Sequence, residues 1–163
     1  MTRRWFSLIL APIPFLLGCA QDPVIPKIGA DPIVLTMAFS TKTFIIGKPD
    51  TISVTATSSF EQAAIIRFDT DCQILVTIRS AAGTAVVPPN GRPTCIPLES
   101  TLTVPALGSV TRRFVWTGND RFLPAGSTTV LPAGTYFISA AINALNYSTL
   151  AAAVKVDLVD PPK

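Results

Sequence analysis

Thr51-Ile52-Ser53-Val54-Thr55-Ala56-Thr57 alternates hydroxyl and apolar side chains without a fault. Successive side chains of an extended chain point to opposite faces, so Ile52, Val54 and Ala56 share one face and the hydroxyls the other. The segment predicts a half-buried β-strand. The same period of two extends outward from it. Ile33, Leu35, Met37 and Phe39 form a stripe before it, and Ala64-Ile66-Phe68, Ile74-Val76-Ile78 and Leu102-Val104 follow. Val110-Arg112-Phe114-Trp116, Tyr136-Ile138-Ala140-Ile142 and Leu150-Ala152-Val154-Val156-Leu158 continue the pattern. Ala151-Ala152-Ala153 is the one helix-favouring patch, and the β-branched Val154 and Val156 after it assign it to a strand. Gly, Pro, Asn and Asp punctuate these segments throughout. The expectation is an all-β chain: one antiparallel β-sandwich of about 7–9 strands over residues 32–160.

Composition narrows the function. The 163 residues are 48% hydrophobic and only 14% charged, which excludes a disordered chain. The sequence holds no histidine, so Ser-His-Asp and Cys-His catalysis and His-ligated metals are excluded. Glycine-rich phosphate loops are missing as well. Asp69-Thr70-Asp71 offers two carboxylates at a strand end, but the Gly and distant Glu of a calcium loop do not accompany it, and it reads as a solvated turn. Asn119-Asp120-Arg121 reads as a turn too. The expectation is a non-enzyme with no metal and no cofactor.

The first residues carry an address. Arg3 and Arg4 precede an apolar run from Trp5 to Leu17, shorter than the roughly 20 residues of a membrane-spanning helix and interrupted by Pro12 and Pro14. This is the layout of a secretory signal. Leu16-Leu17-Gly18-Cys19-Ala20 resembles the bacterial lipoprotein box. The resemblance implies a signal peptide over residues 1–18, acylation (palmitate) of Cys19, and membrane anchoring through that lipid. Ala20 after the lipidated cysteine, in place of Asp, implies the outer membrane of the cell envelope. Residues 19–31 would form a lipidated tether; its last 12 residues, rich in Pro and Gly, reach at most about 40 Å. Loss of Arg3 and Arg4 lowers the formal charge from +3 to +1, and no basic cluster beyond Arg112-Arg113 remains, which argues against nucleic acid as a partner. Asn146-Tyr147-Ser148 matches a glycosylation sequon that has no use in such a protein.

With Cys19 committed to lipid, Cys72 and Cys95 form an even pair in an exported domain and predict a disulfide. A metal pair is disfavoured by the missing CxxC and the missing histidine. Prolines gather at presumed strand ends and loops, where they blunt sheet edges. Two loops stand out. Val86–Glu99 is proline-rich and tethered by Cys95, with Arg92 and Pro93 as candidate binding residues; Gly118–Ala133 carries Arg121 and Phe122. Arg112 shares a face with Val110, Phe114 and Trp116, which places it either at the rim of the core or against a partner carboxylate.

Phe114-Val115-Trp116-Thr117-Gly118, followed after a loop by Leu131-Pro132-Ala133-Gly134-Thr135-Tyr136-Phe137-Ile138, resembles the C-terminal half of the BsuPI-like (intracellular proteinase inhibitor) domains. Upstream, Thr51 to Phe68 and Cys72 to Gly83 are similar to that family's strand order, so the resemblance covers residues 36–145. It implies an immunoglobulin-like (Ig-like) sandwich. Gly134 could supply the positive φ of a tight turn, and Tyr136 could bond backbone through its hydroxyl as in a tyrosine corner. Export and lipidation depart from an intracellular inhibitor, and a fold does not carry its activity with it. Two functions follow as expectations: a membrane-anchored, non-catalytic protein-binding or structural module, or an envelope proteinase inhibitor acting through the Val86–Glu99 loop. As a substrate-like residue Arg92 is poorly served by Pro93 directly after it. The unknown partner is a protein of the cell envelope, a protease in the second case.

Overall fold

The computed structural model describes residues 32–126 and 128–163. The signal segment 1–18, the lipidation residue Cys19 and the tether 19–31 lie outside the described residues. The described residues form ten strands: β1 (Ile33–Phe39), β2 (Thr43–Ile45), β3 (Asp50–Ser58), β4 (Ala64–Phe68), β5 (Leu75–Ser80), β6 (Ala85–Val87), β7 (Ser100–Val104), β8 (Ser109–Trp116), β9 (Gly134–Asn143) and β10 (Ser148–Val159). A single 3₁₀ turn, Pro89–Gly91, is the only helical element among the described residues. The count exceeds the expected seven to nine because β2 and β6 span three residues each, too few to show a period.

The all-β sandwich is as the alternation predicts. One sheet has the order β1-β3-β8, a second β2-β10-β9-β5-β6, and β4 pairs with β7 as a separate ribbon. The founding stretch lies in β3, where Ile52, Val54 and Ala56 are completely buried and Thr55 meets Thr111 of β8 through their hydroxyls at 2.8 Å on the outer face. Ile66, Phe68, Ile78, Leu102, Val104, Ile138 and Ile142 join the same continuous core. Among the described residues all strand pairings are antiparallel except one: β2 runs parallel to β10, with Thr43 opposite Asp157 and Ile45 opposite Val159. The chain therefore leaves the first sheet after Phe39 and enters the second at Thr43.

Two expectations change in detail. The stripe assigned to the last strand loses its phase at a β-bulge. Ala151 pairs with Ala140 but Val154 pairs with Ile138, so one extra residue is inserted on β10. Leu150 is consequently 70% exposed while Ala151 is buried, and Ala152 faces solvent. Gly134 sits at φ 159°, essentially extended, as the first residue of β9 rather than inside a tight turn.

The β4–β7 ribbon is joined to the larger sheet by the β9–β10 turn. Asn146 places its amide along the free edge of β4, its Oδ1 accepting the Arg67 N–H at 2.9 Å and its Nδ2 donating to the Ile65 carbonyl at 3.0 Å. The Leu145 N–H adds a bond to the Arg67 carbonyl at 2.8 Å. An edge strand is thus closed by a side chain standing in for a neighbouring backbone.

Tyr136 makes the backbone contact expected of it: its hydroxyl donates to the Pro132 carbonyl at 2.7 Å while its ring is buried. Burial pushes the phenol above its ordinary value of 10.0. Tyr136→Phe should cost about 1 kcal/mol at neutral pH by leaving the Pro132 carbonyl without this donor. The folded chain holds this proton more tightly than the unfolded one, so its contribution is complete below about pH 10 and is lost as pH rises beyond it. Urea unfolding at pH 8 and pH 11 measures both. The variant should be less stable than the parent at pH 8, with the gap narrowing at pH 11.

Candidate binding cleft

Strands β8 and β6 are the last strands of their respective sheets, so one flank of the sandwich is closed by loops. The first is the Val86–Glu99 segment. After β6 it runs through Pro88 and the 3₁₀ turn, where Asn90 and Gly91 take φ of 58° and 68°. It then returns to meet the start of β5. Cys95 is disulfide-bonded to Cys72 with Cα atoms 5.6 Å apart. Beside the bridge, Asp71 and Ile96 are doubly bonded: the Asp71 N–H donates to the Ile96 carbonyl at 3.1 Å, and the Ile96 N–H donates to Asp71 Oδ1 at 2.7 Å. Ser100 Oγ donates to the Thr70 carbonyl at 2.6 Å. Ile96 and Leu98 project from this fixed base, 61% and 62% exposed.

The second loop, Gly118–Ala133, is held at its neck like a short hairpin. The Leu131 N–H donates to the Gly118 carbonyl, the Asp120 N–H to the Thr129 carbonyl, and the Thr129 N–H to Asp120 Oδ1, each at 2.9 Å. The indole N–H of buried Trp116 donates to the Asn119 carbonyl at 2.6 Å. Gly118 is required here. Its φ is +80°, and a Cβ would come within 2.9 Å of Leu158 Cδ1. Further along, the Leu123 N–H donates to the Val115 carbonyl at 2.9 Å, tying the loop to the edge of β8.

The two loops converge on one cleft of about 430 Å³. Pro88, Pro89, Pro93 and Thr94 form one wall, and Arg121, Phe122, Pro124 and Ala125 the other. Ile74 and Val76 on the β5 side, Val87 of β6 and Phe114 of β8 line it between the two walls. The Phe114 and Phe122 rings pack at 5.4 Å with planes tilted by 57°. The lining is mainly apolar, and Arg121 is its one ionic side chain among the described residues.

Three of the four candidate binding residues, Pro93, Arg121 and Phe122, therefore line a common surface, whereas Arg92 is exposed on the loop outside it. The sequence reading omitted Phe114, Pro88 and Pro124; the density of Pro and Phe in both loops was the available signal. Arg112 sits at the rim, exposed, its Nη2 3.3 Å from Gln73 Oε1, while Gln73 Nε2 donates to the Thr101 carbonyl at 2.9 Å. That chain of contacts bridges β8 and β7, which do not pair directly.

Asp71, Cys72 and Cys95 bring three potential metal-ligand atoms within 4.8 Å of one another. The disulfide removes both thiolates from that set, and the carboxylate is engaged by the Ile96 amide, so the cluster is a structural staple.

No family model matches the chain, and no curated protein does. Solved structures show distant likenesses. A β-glucosidase from Erythrobacter marinus aligns with 78% of this chain at 12% identity and a TM-score of 0.44, and the chain covers 16% of that enzyme. The alkylpurine DNA glycosylase AlkC from Pseudomonas fluorescens aligns with 78% of the chain at 10% identity and 0.45, and the chain covers 30% of it. A CARDB domain from Pyrococcus furiosus, in complex with di-metal ions, is 14% identical with a TM-score of 0.39, covering 83% of this chain and 96% of its own. This chain thus spans less than a third of either enzyme. These scores are too low to bear on function.

Proposed function

We propose that this protein is a lipid-anchored component of the bacterial cell envelope, acylated at Cys19 and carried to the outer membrane. Its sandwich serves there as a non-catalytic protein-binding module. The observation that carries the binding role is the convergence of two independently fixed loops on one apolar cleft. Loops that are already ordered lose little conformational entropy on binding, so contact with a partner is not offset by the cost of folding them. The cleft lies where β6 and β8 end their sheets.

A second reading, the envelope proteinase inhibitor suggested by the BsuPI-like resemblance, is favoured by one feature. Ile96-Pro97-Leu98 is exposed on a base held by the disulfide and the Asp71 pair, as a segment offered to a protease cleft must be.

Photo-crosslinking of the full-length chain in cells tests both. A photoreactive side chain at Phe122 or Thr94 should capture a discrete envelope protein, and one at Lys155 on β10 should not. Absence of adducts from the cleft positions sinks the module reading. Capture of a protease by a probe at Leu98, with inhibition lost when Val86–Glu99 is exchanged, would establish the second. Cys19→Ser should shift the protein from the membrane fraction to the soluble fraction and abolish incorporation of labelled palmitate.

A further inference from the structure

We infer that the cleft takes an extended segment of a partner protein in which an aromatic or branched apolar side chain stands beside an acidic residue. The inference rests on the protein-binding reading above and adds the chemistry of the ligand. The walls supply proline rings and the Phe114–Phe122 pair, a surface that accepts one large apolar side chain. Among the described residues the cleft lining carries a single charge. Arg121 lines the cleft, exposed, and no described residue engages its guanidinium. Asp71 and Asp120 at the loop bases accept from the Ile96 and Thr129 amides, and neither they nor Glu99 pairs with Arg121. A partner carboxylate would meet a guanidinium that pairs with no described residue and whose planar fork of donors suits bidentate pairing.

The shape favours a peptide over an acyl chain. The cleft is an open gap between two loops, and a fatty acid in it would leave much of its chain in water, whereas a peptide needs to bury only its anchor side chain.

The full-length chain in phospholipid nanodiscs, screened against an array of end-capped randomised heptapeptides, tests the inference. Bound sequences should pair Phe, Leu or Ile with Asp or Glu within two positions. Arg121→Glu should shift the preference at the charged position from acidic to basic by about tenfold or more. Arg121→Lys should keep the acidic preference, and Phe122→Ala should weaken all bound sequences. Enrichment of apolar peptides without acidic preference, or a preference untouched by Arg121→Glu, overturns the inference while in-cell crosslinking at the cleft keeps the module reading intact. An array with no enriched sequence overturns it as well. So does displacement of an environment-sensitive dye by oleate with no peptide bound, which would assign the cleft to an acyl chain. Loss of the cleft crosslinks in cells would instead count against the parent reading.

Discussion

Trp116→Ala should remove about 3–5 kcal/mol of stability, the cost of emptying a large buried aromatic site. Trp116 is completely buried and stands in a line of packed rings, 5.1 Å from Phe44 and 6.1 Å from Tyr136, with Phe39 a further 6.4 Å beyond Phe44. Domains of this kind hold only about 5–15 kcal/mol in total, so the loss consumes a large share of the reserve. The substitution also removes the donor to the Asn119 carbonyl and so loosens the neck of the second loop. Trp116→Phe separates the two effects. It keeps most of the ring packing, loses the N–H, and should cost about 1–2 kcal/mol. Urea unfolding followed by far-ultraviolet circular dichroism is the measurement. A Trp116→Ala midpoint close to the parent's would mean that the ring cluster does not hold the sandwich together.

The second large effect concerns Cys72 and Cys95. Replacing both with alanine should lower stability by about 3–4 kcal/mol on the loop-entropy estimate for a bridge spanning 23 residues. For a domain of this size that corresponds to a fall of about 10 °C in Tm. Dithiothreitol should produce the same fall in the parent and none in the double variant, which distinguishes the bridge from any packing lost with the side chains. The effect should be uneven across the molecule. Pro93 and Thr94 form a cleft wall just before Cys95, so the partner binding proposed for the cleft should weaken even at temperatures where the strands remain folded. Hydrogen exchange would show early opening in residues 92–98 and little change in β3 and β9. Equal affinity with and without the bridge would mean that the Asp71–Ile96 pair alone fixes the loop.

What the sequence made legible was whatever depends on contrast between neighbours. Thr51 to Thr57 alternates polar and apolar groups, and its buried face in β3 follows directly. Ala151-Ala152-Ala153 offers no such contrast, and there the bulge displaced the stripe unseen. Phe44, almost fully buried, lies in a three-residue strand that no period can reveal, and its parallel pairing with β10 depends on residues more than a hundred positions away. The Cys72–Cys95 disulfide followed from the cysteine count and the expectation of export. The two loops were each recognisable by Pro, Arg and Phe, but their meeting was not, because it is set by β8 and β6 ending their sheets on the same flank. That placement also separates Arg92 from Arg121, a distinction invisible in a string of residues.

The parallel pairing of β2 with β10 gives the domain a mechanical character. Tension applied just before Thr43 and beyond Val159 draws β2 backward and β10 forward along a common axis. The bonds between them, among them Ile46 N–H to the Val159 carbonyl and Asp157 N–H to the Lys42 carbonyl, both at 2.9 Å, then bear tension side by side rather than parting one after another as in a hairpin. Traction across these two strands is resisted by a shear clamp.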